Sequence, residues 1–250
     1  MEEFLKKVET DYQAEIEDIL PHLLNKIDNL RAEAVKIHPG IRIANDGKAA
    51  GTINREDCRI LYLLVRYYKP TIIFEIGTWI GTSAMVMAEA MRKNNNGGTI
   101  YTCDVNNYYA LDETYSDVIK PINAFSDEAL QHLPEETKID FVFADGELTF
   151  KTIKKMKPML HFESIIGTHD YIPPADKGVL NLIRVQLFCN FKYRLFAPKN
   201  KTPDKWKESL IGFLLIHKGT WIDNRFISFI LTLYLGINAL IFKLYYNITK

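Results

Sequence analysis

The sequence predicts an α/β fold: a seven-stranded, mostly parallel sheet with helices on both faces, an N-terminal helical extension and a hydrophobic C-terminal helix. Three observations carry this expectation. From residue 71 onward, short β-branched runs alternate with segments of helical periodicity, as in successive βα units. Runs such as "TIIFEIG" and "IDFVFADG" are nearly continuous in apolar residues, as strands buried on both faces are. The last two runs, "FKYRLFA" and "SLIGFLLIHKG", follow one another with no room for a helix between them, which predicts an antiparallel pair at one edge.

Residues 3 to about 35 place Leu and Ile at helical spacing among Glu and Lys, predicting one or two helices interrupted at Pro21 and ended by "HPG". "GIRIANDGKAAGTI" is loop-like. Asn54 is placed to cap "NREDCRILYLLVRYY", which has acids in its first turn and an apolar face behind them; Pro70 closes it. Then come strand "TIIFEIG", helix "GTSAMVMAEAMRK", turn "NNNGG" and strand "TIYTCD". A weak strand in "YSDVIKPINAF", the short helix "SDEALQHLP" and the strong strand "IDFVFADG" follow. The helix "LTFKTIKKMKPML", the strand "ESIIGTHDY" and the helix "KGVLNLIRVQLF" lead to the final pair. Three domains result: a helical segment 1–51, an α/β domain 52–219 and a hydrophobic helix 220–250.

The chain has 250 residues, enough for one such domain with some decoration, and 31 basic residues balance 31 acidic ones. That balance argues against nucleic acid as a partner. Three widely spaced cysteines without CxxC argue against a disulfide framework or zinc site and fit a reducing compartment. The charged N-terminus lacks the apolar core of a secretion signal, so the expected location is cytoplasmic. Phe226 to Phe242 contains no charged residue, with aromatic and basic residues on both sides. This predicts membrane association through 226–242; the open alternative is a helix packed on the domain or in a homodimer interface.

The chemistry begins at "FEIGTWIGTSAMVMAEAM". A dinucleotide loop reads G-x-G-x-x-G, its second glycine letting a pyrophosphate approach the backbone. Trp79 stands at that position, so a pyrophosphate cofactor is disfavoured, and no GK[ST] supports a P-loop. A cofactor without phosphates tolerates this loop, and S-adenosylmethionine is one. Glu75 at the strand end can hold its ammonium, N–H groups of the helix from Gly81 its carboxylate, and Asp104 at the next strand end its ribose hydroxyls.

"FEIGTWIGTSAMVMA", "IYTCD", "NAFSDEALQHL", "IDFVFADG" and "IIGTHDY" together resemble the class I, Rossmann-like S-adenosylmethionine-dependent O-methyltransferases. The resemblance is greatest to the branch with the catechol, caffeoyl-CoA and bacterial sugar enzymes, over roughly Thr52 to Lys218. It implies that Glu75, Gly77, Thr78, Gly81 and Ser83 form the methionine end of the cofactor site. It implies also that Asp104 binds the ribose, that Ser126 lies near the adenine, and that Asp145 lies at a strand end beside the cofactor. Asp145, His169 and Asp170 stand where cation-dependent members hold a metal, so Mg²⁺ is the expected ion. The implied reaction is methyl transfer to a hydroxyl of a sugar, glycan or other small molecule.

The sequence also departs from those relatives. Sugar-modifying members read D-G-x-H after the fourth strand, and catechol-type members place a lysine there; here the stretch is "DGELTF", with Leu148 at the histidine position. His169 is then the nearby base candidate, with Asp145 beside it. Glu147, and a basic helix face of Lys151, Lys154, Lys155 and Lys157, read more simply as solvated. His161 is expected on a helix end. Tyr108, Tyr109, Tyr171 and Trp206 either line the acceptor pocket or pack. The missing base leaves two further readings open: a non-catalytic cofactor-binding or scaffold protein, and a metal-dependent, hydroxylase-like relative.

Overall fold

The computed structural model describes residues 2–171, 177–189, 192–196 and 211–217. The expected helix 226–242, Trp206 and the link between the last two strands lie outside the described residues. No helix among the described residues is long and apolar enough to cross a membrane.

The sheet has seven strands: β1 Ile72–Ile76, β2 Thr99–Asp104, β3 Ile119–Asn123, β4 Ile139–Ala144, β5 Leu160–Thr168, β6 Lys192–Phe196 and β7 Gly212–His217. Their order is β3-β2-β1-β4-β5-β7-β6. The first five are parallel; β7 runs antiparallel to both β5 and β6. The antiparallel pair therefore sits at one edge, with β7 slotted inside β6. At the other edge, β3 contains Pro121, a residue an edge strand accepts because its missing N–H interrupts no inner ladder.

Among the described residues, six α-helices accompany the strands: α1 Glu2–Ile37, α2 Arg55–Tyr68, α3 Thr82–Asn94, α4 Ser126–Ala129, α5 Phe150–Met156 and α6 Lys177–Phe188. Alternating strand residues divide the core. Ile73, Phe141, Phe143 and Ile165 face a cluster with residues of α1, α2 and α3, while Phe74, Val142 and Ile166 face one with residues of α5 and α6. Burying each such side chain contributes about 1.5–3 kcal/mol.

The expected break at Pro21 does not occur: α1 runs unbroken for 36 residues. Pro21 lies on its exposed face, so the Glu17 carbonyl that loses its partner can be hydrated. The opposite stripe, Ile16, Leu20, Leu23, Ile27, Leu30 and Ala34, is buried at three- and four-residue spacing. Glu15 ties α1 to α2 through a two-pronged pair with Arg66 (2.6 and 2.8 Å) and a hydrogen bond from Tyr62. Asn54 caps α2 as expected, in a reciprocal capping box with Asp57. His161 is a second correction. β5 begins at Leu160, so His161 lies in a strand, where its Nε2 is 2.9 Å from Asp140 Oδ1.

Candidate cofactor and acceptor site

The C-terminal ends of β1, β2, β4 and β5 meet the starts of α3 and α6. In an open parallel sheet this edge offers uncapped strand ends and helix N-termini, so ligands gather there.

Glu75 of β1 is fully buried. Thr102 donates to its Oε2, and Thr78 in turn lies 2.6 Å from the Thr102 hydroxyl. Since the Thr102 proton is committed to Glu75, the Thr78 hydroxyl is the donor of that pair. Oε1 of Glu75 is buried and has no hydrogen-bond partner. Burial pushes the Glu75 carboxyl up to about 7, against the Thr102 hydrogen bond and the nearby Ser83 hydroxyl and with help from the charges of Asp145 and Asp104.

The loop after β1 is held in left-handed conformations, with φ of +96° at Gly77, +48° at Trp79 and +97° at Gly81. Gly77 has a packing reason as well: a Cβ there would lie 2.7 Å from the Gly146 nitrogen. Trp79 is the costly member, since a side chain disfavours this region by roughly 1–2 kcal/mol. Its indole turns to the N-terminal segment, donating from Nε1 to Ala50 O at 2.9 Å and meeting Tyr108 edge-on. Gly81 is the cap of α3 and offers no side chain, so the first N–H groups of α3 have no side-chain acceptor. Asp104 accepts from Trp79 N through Oδ2 and from Asn106 N through Oδ1, each at 2.9 Å. Asp104 thus shapes the loop after β1 while keeping lone pairs for further donors.

Ser126 starts α4 after β3, and its hydroxyl lies 2.8 Å from Thr152 Oγ1. It is therefore tied to α5 rather than to the other candidates. Beside it Phe125 is 62% exposed, and Val105, just beyond Asp104, is 50% exposed. Because Asp104 pairs with Asn123 in the β2–β3 register, these two apolar side chains flank neighbouring strand ends.

Asp145, His169 and Asp170 do come together, with one ligand atom from each within 4.8 Å of the others. His169 Nδ1 is 3.4 Å from Asp145 Oδ1 and 3.2 Å from Asp170 Oδ1, while Nε2 is 2.9 Å from Asp57 Oδ2. Burial disfavours the imidazolium, but the three carboxylates outweigh it and carry His169 up to about 12. Asp170 is held down at about 2 by the His169 hydrogen bond, with Lys177 assisting.

Lys177 was not legible as a site residue. Its ammonium lies 3.2 Å from Asp145 Oδ1 and 3.4 Å from Asp170 Oδ2, and it also meets the Asp145 carbonyl. Gly178 makes this approach feasible: a Cβ there would collide with the His169 carbonyl at 2.2 Å, so α6 can begin directly on the His169–Asp170 peptide. By sequence alone Asp57 is a first-turn acid of α2. Leu148 is buried, and its N–H donates to Asn181 Oδ1 at 2.9 Å, so that position serves packing. Glu147 pairs with Arg184 and is 61% exposed, the solvated reading. Lys151 and Lys155 pair with Asp127. Tyr171 is buried against Gly212.

The strand order, the parallel core and the antiparallel pair at the edge define the class I methyltransferase fold. Residues 74–171 match a family model described as a methyltransferase domain. No curated protein matches the chain. Among solved structures, a candidate O-methyltransferase from Klebsiella pneumoniae is similar with TM-score 0.55 and 15% identity, covering 84% of this chain and 97% of that one. An O-methyltransferase from Bacillus cereus in complex with SAH gives 0.53 and 16%, covering 80% and 91%. The O-methyltransferase TomG from Streptomyces achromogenes, involved in tomaymycin synthesis and in complex with SAM, gives 0.51 and 15%, covering 75% and 88%. At these identities the likeness is one of fold.

Proposed function

We propose that the protein is an S-adenosylmethionine-dependent O-methyltransferase acting on a hydroxyl of a sugar or other small molecule. The observation that carries this reading is the unpartnered, buried Oε1 of Glu75 beside the uncapped start of α3. An orphaned carboxylate oxygen in a buried site costs stability unless a ligand completes it, and an ammonium does so. The residues present fit the cofactor: Glu75 for its ammonium, the N–H groups of Thr82 and Ser83 for its carboxylate, and Asp104 for its ribose. Val105 and Phe125 supply apolar surface for its adenine, with Ser126 alongside.

The bound cofactor supplies an electrophilic methyl group. The chain's own work is to align an acceptor oxygen and take its proton. Asp145 and His169 are the groups proposed for this: the imidazole N–H orients the acceptor oxygen, and the Asp145 carboxylate accepts the proton. The donor set of Asp145, His169 and Asp170 also fits a hard divalent cation such as Mg²⁺, which would polarise the hydroxyl. Lys177 and the imidazolium neutralise the same carboxylates, so an incoming cation would take over that role from both.

Calorimetry with S-adenosylmethionine tests the cofactor site: Asp104→Ala should weaken binding at least tenfold, and unchanged affinity would sink the assignment. A screen of hydroxyl acceptors with labelled cofactor, with and without Mg²⁺, tests the reaction. Cofactor binding without transfer to any acceptor would favour the non-catalytic reading that Leu148 first raised.

A further inference from the structure

We propose that Asp57 is the positioning residue of His169, an assignment that rests on the reading of His169 as an acceptor-facing group. Asp57 lies in the first turn of α2, outside the matched segment 74–171, yet its Oδ2 is 2.9 Å from His169 Nε2 across 112 residues of sequence. Both groups are buried, with side-chain exposures of 0% for Asp57 and 10% for His169. A buried carboxylate needs partners, and those of Asp57 include the imidazole and the Asn54 N–H of the capping box.

The geometry ranks the two. Oδ2 serves both, but the cap hydrogen bond is 3.3 Å and the imidazole contact 2.9 Å. Charge-assisted N–H···O bonds are the shorter and stronger kind. The two ring nitrogens of a histidine are distinct, and a partner on one fixes what the other presents. With Nε2–H donated to Asp57, the ring is locked in rotation and Nδ1 faces Asp145 Oδ1 and Asp170 Oδ1, at 3.4 and 3.2 Å. A cap that orders the start of α2 thereby also orients the imidazole of the acceptor site.

The test separates orientation from capping. Side-chain ¹⁵N–¹H spectra of the full chain are recorded for the wild type, Asp57→Asn, Asp57→Glu and Asn54→Ala. The wild type should show a His169 Nε2–H protected from exchange. In Asp57→Asn, which keeps an acceptor for the Asn54 N–H, the His169 ring signals should move and that proton should lose its protection. Asp57→Glu should restore protection in part, and Asn54→Ala should lower Tm while leaving the His169 ring signals in place. With an acceptor in hand, Asp57→Asn should lower kcat about 10- to 100-fold, in line with outer partners of site histidines, with unchanged S-adenosylmethionine affinity. An unprotected Nε2–H in the wild type, or ring signals that respond equally to Asn54→Ala, would overturn the proposal. Full activity of His169→Gln would instead remove the reading it rests on and leave the spectra unchanged, so the two failures are distinguishable.

Discussion

The backbone N–H of Trp79 donates to Asp104 Oδ2 at 2.9 Å, binding the loop after the first strand to the acid that ends the second. One carboxylate therefore fixes the shape of that loop and, in the proposed function, holds the ribose. The left-handed Trp79, at φ +48°, is offset by this bond and by the indole's bond to Ala50 O.

Asp104→Ala should weaken S-adenosylmethionine binding at least tenfold in calorimetry. It should also lower stability by about 1–3 kcal/mol, because the Trp79 and Asn106 N–H groups lose their acceptor. Denaturant unfolding reads the second effect. A variant that keeps full stability would show that Asp104 does not shape the loop.

Glu75→Gln should separate stability from binding. The folded carboxyl is raised from 4.5 to about 7, so the folded state holds its proton more tightly than the unfolded chain. That contribution to stability is complete below pH 4.5 and is lost as pH rises to about 7. At about 1.4 kcal/mol per pH unit, the loss is roughly 3 kcal/mol. At pH 8 the ligand-free Glu75→Gln protein should therefore unfold at higher denaturant than the wild type, while its S-adenosylmethionine affinity falls. Equal midpoints for both proteins from pH 5 to 8 would contradict the assignment.

Gly178→Ala should cost about 1–3 kcal/mol, since its Cβ would meet the His169 carbonyl at 2.2 Å and backbone must move. Because α6 carries Lys177 to the carboxylates, the same change should lower methyl transfer more than cofactor binding. Thermal unfolding and calorimetry on one preparation check both.

Lys177→Gln should raise affinity for Mg²⁺ several-fold, because the ammonium at 3.2 and 3.4 Å from Asp145 and Asp170 competes for the same oxygens. A matching rise of Tm on adding Mg²⁺ follows by mass action. No heat and no Tm change with Mg²⁺ in either protein would remove the cation from the proposed function.

Much of this protein was fixed locally. Apolar runs of strand length set the five parallel strands, Asn54 with Asp57 set the start of α2, and the glycines after Glu75 mark the loop between β1 and α3. Glu75 and Asp104 could be singled out because a carboxylate at the end of a buried strand is unusual in its own right. Tertiary structure decided the rest. Pro21 was tolerated because it faces water, and Leu148 went inward because Asn181 of α6 receives its N–H. Lys177 reached Asp145 across 32 residues, and Asp57 reached His169 across 112. Periodicity and capping report only on neighbours within a few residues along the chain. Charges that meet because a sheet brings the start of α2, the ends of β4 and β5 and the start of α6 to one edge leave no local trace.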